Sequence, residues 1–326
     1  MGKRRTLEKI DQPIRILVTG GFGYVGGRVA QHLVEKGYQV VLGSRKIQSS
    51  PDWLPQSEVV QLRWDDEAAL AEICNSVNVV IHTAGMNAQD CAFDPVAALE
   101  FNGLATARLM RASINEGITK FIYLSTAHVY RSPLVGEIDE KTCPRNLHPY
   151  ASSHLAGENA VLYGSQNESD FSGIVLRLSN VVGSPVSKDV NCWMLLVNDL
   201  CKQAIIERSL TLNGDSKTVR DFVAIRDFCS VIEVLIESNN TSNIVNIGSG
   251  KVCTVGEMAT KIQSSCLNML GFEPPIIFKQ KPSMNKNLFN LQTSYLDSIG
   301  FKFANNFDLE IEQLISFCVK NFPYKS

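Results

Sequence analysis

An α/β architecture, a doubly wound parallel sheet with a smaller C-terminal domain, is the fold predicted by this chain of 326 residues. Three observations lead there. Short β-branched apolar runs alternate with longer helical stretches from Ile14 to Leu178, a cluster of glycines follows the first run directly, and the rhythm changes after Gly183. Short buried runs separated by helices are the pattern of parallel strands joined by crossovers.

Taken in order, residues 1–12 read as an N-terminal arm, basic over Met1–Arg5 and polar over Thr6–Asp11. Ile14–Val18 is the first expected strand, and Tyr24–Lys36 the helix after it. Val40–Leu42 and Val59–Leu62 are strands, Glu67–Asn75 a helix, and Val77–His82 a strand. The helix Asp94–Glu116, the strand Phe121–Leu124, the helix Tyr150–Tyr163 and the strand Gly173–Leu178 follow. The strands are too short for buried helices, which decides between two readings that periodicity alone leaves open. Beyond Gly183 come a loop-prone stretch, Ser184–Asn191, an apolar helical stretch, Trp193–Ile206, and Leu210–Asn213. Pro274–Pro275 and the polar tract Lys279–Asn290 make the remainder more irregular.

Composition excludes several classes. With 31 basic and 33 acidic residues the net charge is −2, which offers no footprint for nucleic acid or an anionic membrane. The nine cysteines are scattered without a CxxC pair, so neither a disulfide framework nor a metal site is expected. No apolar run approaches the length of a membrane span, and no apolar segment follows the basic start as in a signal peptide. The expected location is cytoplasmic.

Gly20, Gly23 and Gly26 follow the first strand with G-x-x-G-x-x-G spacing and lead into a helix. Glycines there permit a tight turn, and the helix N-terminus presents oriented N–H groups to a pyrophosphate. This placement predicts a dinucleotide-binding domain over 13–183, with 220–247 returning to it, and a mainly substrate-binding domain over 184–326.

The stretch Thr19–Gly26 resembles the extended short-chain dehydrogenase/reductase family, especially its nucleotide-sugar epimerases, dehydratases and reductases. Further blocks recur in order: Val80-Ile-His-Thr-Ala-Gly85, Asn102, Tyr123-Leu-Ser-Thr-Ala-His-Val-Tyr130, His148-Pro-Tyr-Ala-Ser-Ser-His154, Leu176-Arg-Leu-Ser-Asn-Val-Val-Gly183, Arg220-Asp-Phe-Val223 and Asn246-Ile-Gly-Ser-Gly250. The similarity runs from Ile14 to about Gly300. It implies a Rossmann-like sheet and a nicotinamide cofactor held by Gly20, Gly23, Tyr24, Val25, Gly26, Thr83, Ala84, Gly85 and Asn102. It also implies a nucleotide-sugar substrate and a homodimer built through the helices around Asp94–Glu116 and Tyr150–Tyr163.

Ser44 stands where the family's NAD binders carry an acid, and Arg45 follows it. A carboxylate there would repel a 2′-phosphate, whereas a guanidinium pairs with one, so NADP(H) is favoured and NAD(H) is the alternative. The bland reading of Arg45 is a solvated basic turn. Asp65 or Asp66 matches the family's adenine-facing aspartate loosely.

The resemblance places the catalytic tyrosine at Tyr150, but His154 occupies the position of the usual lysine four residues on. Residues at i and i+4 share a helix face, and lysine there favours tyrosinate and holds the ribose. Histidine is largely neutral at pH 7 and stabilises tyrosinate less, while a ring nitrogen can still bind ribose. Thr126 matches the hydroxyl that binds the substrate oxygen, and Ser125 beside it would serve chemically as well. The 4,6-dehydratases carry Asp-Glu next, where this chain has Ala127-His128, so elimination is disfavoured. His128 itself reads as structural. On the substrate side, Asn180 and Arg220 match residues contacting the diphosphate, the bland alternative for Arg220 being a salt bridge with Asp221 or Asp227. Trp193, Met194 and Leu195 are either nucleotide contacts or core, Lys188 and Lys251 are unsingled candidates, and Lys279–Asn290 suits a lid. The leading expectation is an NADP(H)-dependent reductase of a nucleotide-linked keto-sugar. A C4 epimerase with tightly bound NAD is the alternative, and a catalytically weakened dinucleotide binder the second.

Overall fold

The computed structural model describes residues 13–238, 242–281 and 288–322. The expected arm over 1–12 and half of the tract suited to a lid, residues 282–287, lie outside the described residues. Two compact units form: residues 1–132, 142–178 and 229–246 make the first, and 133–141, 179–228 and 247–326 the second. The first unit therefore closes at Leu178 rather than Gly183. The chain returns to it at Cys229 rather than at 220, and Pro133–Lys141 counts with the second.

The first unit is organised by seven strands: β1 (Arg15–Thr19), β2 (Gln39–Ser44), β3 (Glu58–Gln61), β4 (Val79–His82), β5 (Lys120–Thr126), β6 (Ser172–Leu178) and β7 (Ile244–Ile247). Their order is β7-β6-β5-β4-β1-β2-β3, and β1 to β6 pair in parallel. The chain runs from β1 outward to β3, then crosses to β4 on the other side of β1. The switch point thus lies between β1 and β4, where Thr19 is level with His82, and ligands bind beyond strand ends of this kind. Ile16, Leu17 and Val18 have no exposed surface, as a strand covered on both faces requires. One core layer joins Leu17, Leu70, Leu109, Phe121, Tyr123, Val161 and Val175.

The expected helix Asp94–Glu116 departs from regular geometry. Asp94 caps its start, accepting from Ala97 N at 3.0 Å, and Pro95 takes the first position, where a missing N–H costs nothing. Over Leu99–Ala105 the backbone widens into π-helical turns before the α-helix Thr106–Asn115 resumes. The wide turns carry Asn102 against the helix Pro149–Asn167, whose Gly157 leaves no room for a side chain. A Cβ there would lie 2.6 Å from both Asn102 O and Tyr123 Oη.

In the second unit Val219–Ala224 pairs with Asn180–Val182 in parallel and with Val252–Thr254 in antiparallel fashion. Two small parallel pairs, Leu210–Leu212 with Ile276–Phe278 and Gly136–Ile138 with Phe289–Leu291, complete its sheets. Its core is shared by helices Leu196–Ile206, Val255–Leu270 and Phe307–Asn321, through residues such as Leu200, Ala204, Ile262 and Leu314. A capping box, Thr254 with Glu257, starts the second of these, and Gly271 in the left-handed region ends it. All nine cysteines are free thiols. Among the described residues, no helix is long and apolar enough to cross a membrane.

Candidate active site

At the switch point the chain leaves β1 through Gly20, whose φ of 67° is left-handed. A Cβ on Gly20 would sit 2.8 Å from Ala84 N, so this turn requires glycine twice over. Gly23 N donates to Gly20 O at 2.8 Å, and a Cβ on Gly26 would strike Gly20 O and Thr83 Oγ1. Tyr24 and Val25 then open the helix Tyr24–Glu35, whose N-terminal Gly23 brings no side-chain cap. Thr83 Oγ1 donates to Thr19 O at 2.6 Å and Ala84 N to Thr19 Oγ1 at 3.3 Å, which locks Thr83–Gly85 beside the turn. A helix start without a side-chain acceptor, reached through glycines that let another backbone approach, fits the pyrophosphate of a dinucleotide.

At the end of β2, Ser44 Oγ accepts from Lys46 N at 3.0 Å and Gln48 Nε2 at 2.6 Å. Arg45 is exposed, with its guanidinium 5.8 Å from the centre of the Phe101 ring. The two aspartates after β3 separate cleanly. Asp66 caps the helix Glu67–Asn75 through Ala69 N at 3.0 Å and pairs with Arg63 at 3.1 Å, while Asp65 stays exposed.

Thr126 ends β5, 4% exposed, and its Oγ1 accepts from His128 N at 3.1 Å. His128 belongs to the short turn Ala127–Val129, and its carbonyl accepts from Asn146 Nδ2 at 2.7 Å. Tyr150 enters on the first turn of its helix, after Pro149 and the cap His148. Burial lifts the Tyr150 phenol above its usual 10, a hydrogen bond with Thr126 pulls it back, and the neighbouring Cys91 thiol adds to the rise. One turn on, the His154 ring meets Tyr150 edge-on, centroids 4.7 Å apart. Its Nδ1 lies 2.9 Å from Tyr123 Oη, and its Nε2 lies toward Gly85, 3.6 Å from where a Cβ on that glycine would be. Burial pushes the His154 imidazole down to about 4, so it is neutral at pH 7. The family's lysine is thus replaced by an uncharged donor or acceptor.

Asn102 braces this region from the π-helical turns. Its Oδ1 accepts from Met86 N at 2.8 Å, and its Nδ2 donates to Ser153 Oγ at 3.0 Å, which in turn donates to Tyr150 O at 3.2 Å. Ser125 points elsewhere. Its Oγ donates to Glu158 Oε1 at 2.5 Å, and Glu158, fully buried, is held by Arg177 Nη2 at 2.7 Å and Nε at 3.2 Å. Ser125 Oγ is therefore committed to Glu158. Sequence alone does not single out Tyr123, His82, Thr106, Glu158 or Arg177. His82 binds Thr19 Oγ1 through Nδ1 at 2.6 Å and Thr106 Oγ1 through Nε2 at 2.9 Å, and burial, with His154 nearby, takes it down to about 3. A charged Arg177 inside an apolar run is the one available signal for the buried pair.

In the second unit, Asn180 Nδ2 donates to Asp221 O at 2.9 Å. Asp221 accepts from Ser179 Oγ at 2.6 Å and Ser249 N at 3.0 Å, and burial still raises its carboxyl to about 6. Asp227 accepts from Ala304 N and Asn305 N at 3.1 and 2.9 Å. Both bland partners of Arg220 are thus engaged elsewhere. Among the described residues Arg220 forms no ion pair, and burial lowers the pKa of its guanidinium. Trp193 packs on Phe322 and Phe317 as core and donates to Lys188 O at 2.9 Å, whereas Met194 and Leu195 stay exposed. Lys188 and Lys251 are exposed and mark no cluster.

A parallel sheet with a glycine turn at its switch point, and Thr126 and Tyr150 near it, is the arrangement of a nicotinamide-dependent enzyme of the extended short-chain dehydrogenase/reductase type. The chain belongs to the NAD dependent epimerase/dehydratase family, whose model matches residues 16–248. It is similar to the putative UDP-glucose 4-epimerase of Methanocaldococcus jannaschii, 27% identical over 292 residues that cover 88% of this chain and 92% of that protein. It is also similar to mouse dTDP-D-glucose 4,6-dehydratase, 26% identical across 76% of this chain and 72% of that one. Among solved structures, the Thermotoga maritima UDP-glucose 4-epimerase with UDP-glucose matches with a TM-score of 0.78, 20% identity, and coverage of 94% and 99%. MoeE5 in complex with UDP-glucose and NAD matches at 0.76 and 22%, again covering 94% and 99%. At such identities the structural likeness establishes the fold. The relatives favour the epimerase alternative over the NADP(H) reductase.

Proposed function

We propose that this enzyme is an NAD-using 4-epimerase of a nucleoside-diphosphate hexose. The observation that carries the reading is the Thr126–Tyr150 pair with no carboxylate at Ala127 or His128. Epimerisation needs one proton removed from and returned to the same oxygen, which one phenol does alone. Elimination of water needs a further acid and base, and these positions lack the pair of carboxylates that supplies them. Bound at the glycine turn, NAD supplies reversible acceptance of the hydride from the sugar carbon. Thr126 Oγ1 holds the sugar oxygen, Tyr150 Oη takes and returns its proton, and His154 binds the cofactor ribose. Asn180 and the unpaired Arg220 bind the diphosphate. The presence of both Thr126 and Tyr150 speaks against a catalytically weakened binder.

A second reading, an NADP(H)-dependent keto-sugar reductase, is favoured by one feature: no carboxylate ends β2, and Arg45 is exposed there. The test incubates purified protein, checked for co-purified nucleotide, with UDP-glucose and no added cofactor, while calorimetry compares NAD(H) with NADP(H). Appearance of the C4 epimer without added cofactor supports the proposal. Preference for NADP(H) that vanishes in Arg45→Ala, with no epimer formed, overturns it in favour of the reductase. Homodimer formation is proposed with it, supported by exposed Val96, Leu99 and Leu104 on one helix region and Tyr163 on the other. Light scattering that gives one chain mass refutes the dimer.

A further inference from the structure

We infer that Tyr123 is a positioning residue that holds His154 in its Nε2–H tautomer, so that a neutral imidazole presents a single N–H donor beside Gly85. The inference deepens the proposed function and rests on that reading for the identity of the acceptor, a cofactor ribose hydroxyl.

Counting hydrogens decides the tautomer of His82. Thr106 Oγ1 has one hydrogen and donates it to Asn102 O at 2.7 Å. Its 2.9 Å contact with His82 Nε2 must therefore be accepted, which puts a hydrogen on that nitrogen. His82 Nδ1 then accepts from Thr19 Oγ1 at 2.6 Å. His82 is thus a settled neutral ring, and Tyr123 stacks on it with centroids 5.4 Å apart and planes 24° apart.

Tyr123 Oη also has one hydrogen. It faces two acceptors, His154 Nδ1 at 2.9 Å and, well beyond it, Asn102 O at 3.4 Å, a carbonyl that also accepts from Thr106. The shorter contact wins, because hydrogen bonds weaken steeply beyond the optimum. Donation by Tyr123 fixes Nδ1 as acceptor and leaves the only imidazole hydrogen on Nε2, the nitrogen toward Gly85. Gly157 and Gly85 keep this geometry possible, since a side chain at either would press on Tyr123 Oη or on the His154 ring. A charged lysine donates whatever its surroundings, whereas a neutral histidine donates from the required side only if its other nitrogen is occupied. The tyrosine supplies that occupancy.

The experiment labels histidine with nitrogen-15 and reads tautomers from long-range proton–nitrogen spectra of the cofactor-free protein, with His154 assigned by its absence in His154→Gln. Wild type is expected to show Nε2–H with bare Nδ1 between pH 6 and 8. Tyr123→Phe, which keeps the ring stacked on His82, is expected to show a mixture of both tautomers. Its affinity for NAD by calorimetry should fall in proportion to the fraction of Nε2–H that remains, about twofold for an even mixture. Near-ultraviolet circular dichroism confirms that the variant folds, and the wild-type spectrum needs no variant at all. Nδ1–H in wild type, or an unchanged tautomer in Tyr123→Phe, overturns the inference, as does a mixed tautomer with unaltered NAD affinity. Wild type in the expected tautomer that binds no NAD refutes the epimerase reading instead and leaves the tautomer assignment standing.

Discussion

Replacing His154 by lysine restores the family's cation and puts a number on what its absence does. The two rings are 4.7 Å apart between centroids, so an ammonium on this turn lies about 6 Å from the Tyr150 oxygen. At an effective dielectric of about 20, its attraction for the phenolate is about 3 kcal/mol, or about two pH units. Burying the ammonium limits that gain. Lys120 shows the limit within the same unit: three carbonyls, of Leu235, Ile236 and Ser238, accept from its Nζ at 2.6–2.8 Å, and burial still lowers it to about 8. The new charge is therefore present below about pH 8, where Tyr150 of the wild type is a phenol. The assay is kcat for epimerisation against pH. His154→Lys should move the rising limb down by about two units and raise turnover at pH 7 at least tenfold. An unmoved limb refutes the electrostatic argument. Loss of turnover at every pH, with NAD still bound, would mean that the imidazole serves its own chemistry and that adding charge is no repair.

Thr126→Ala should cut kcat about a hundredfold, as loss of a preorganised donor at a reacting oxygen does. Ser125→Ala should leave kcat within about twofold and cost about 1–3 kcal/mol in urea denaturation, because it strips a donor from buried Glu158; the reverse ranking would exchange their roles. Arg177→Met should cost about 3–5 kcal/mol by the same measurement, since Glu158 would be left charged and unpaired in the interior, and a loss under about 1 kcal/mol would contradict the geometry of the pair. His154, lowered in the folded state to about 4, contributes stability that is complete above pH 6.5 and is lost as pH falls toward 4, because only the unfolded chain takes the proton in that window. Between pH 7 and 5, His154→Gln should therefore lose about 2 kcal/mol less than wild type, and equal losses would show that His154 titrates normally.

How much of the fold and site was legible in the sequence depended on how local each feature is. The glycine turn, β1 and the helix after it are set by contiguous residues, so Gly20, Gly23 and Gly26 are placed by their spacing alone. Tyr150 and His154 were legible only through the family resemblance, which sets the tyrosine and the residue one helical turn after it. The π-helical widening at Leu99–Ala105 left no trace, because its residues suit an ordinary helix equally well. Ser125 and Thr126 were interchangeable as chemistry, and only the strand's alternation decides between them: Tyr123 and Ser125 share the face that meets His154 and Glu158, while Thr126 takes the other. Tyr123 itself reads as one more apolar strand residue until its hydroxyl is found on His154. The pairing of Gly136–Ile138 with Phe289–Leu291 joins segments about 150 residues apart, a distance at which short polar-flanked runs carry no register signal.

The charges around Tyr150 lead to a last prediction. On the face of the sheet beneath it, the buried charges are Glu158 and Arg177, and they satisfy each other. His82 and His154, the other titratable rings nearby, are held neutral by burial. Among the described residues of the first unit, no cation therefore favours tyrosinate, and desolvation outweighs the one opposing influence, the Thr126 hydroxyl. In the cofactor-free protein Tyr150 should stay a phenol throughout the neutral range. The tyrosinate absorbance of wild type minus that of Tyr150→Phe should then rise only above pH 10. A midpoint below pH 9 would reveal a cation that this arrangement of side chains does not contain. A midpoint above 10 that drops when NAD is added would place the missing positive charge on the bound nicotinamide, and would make loss of the sugar's proton conditional on a loaded site.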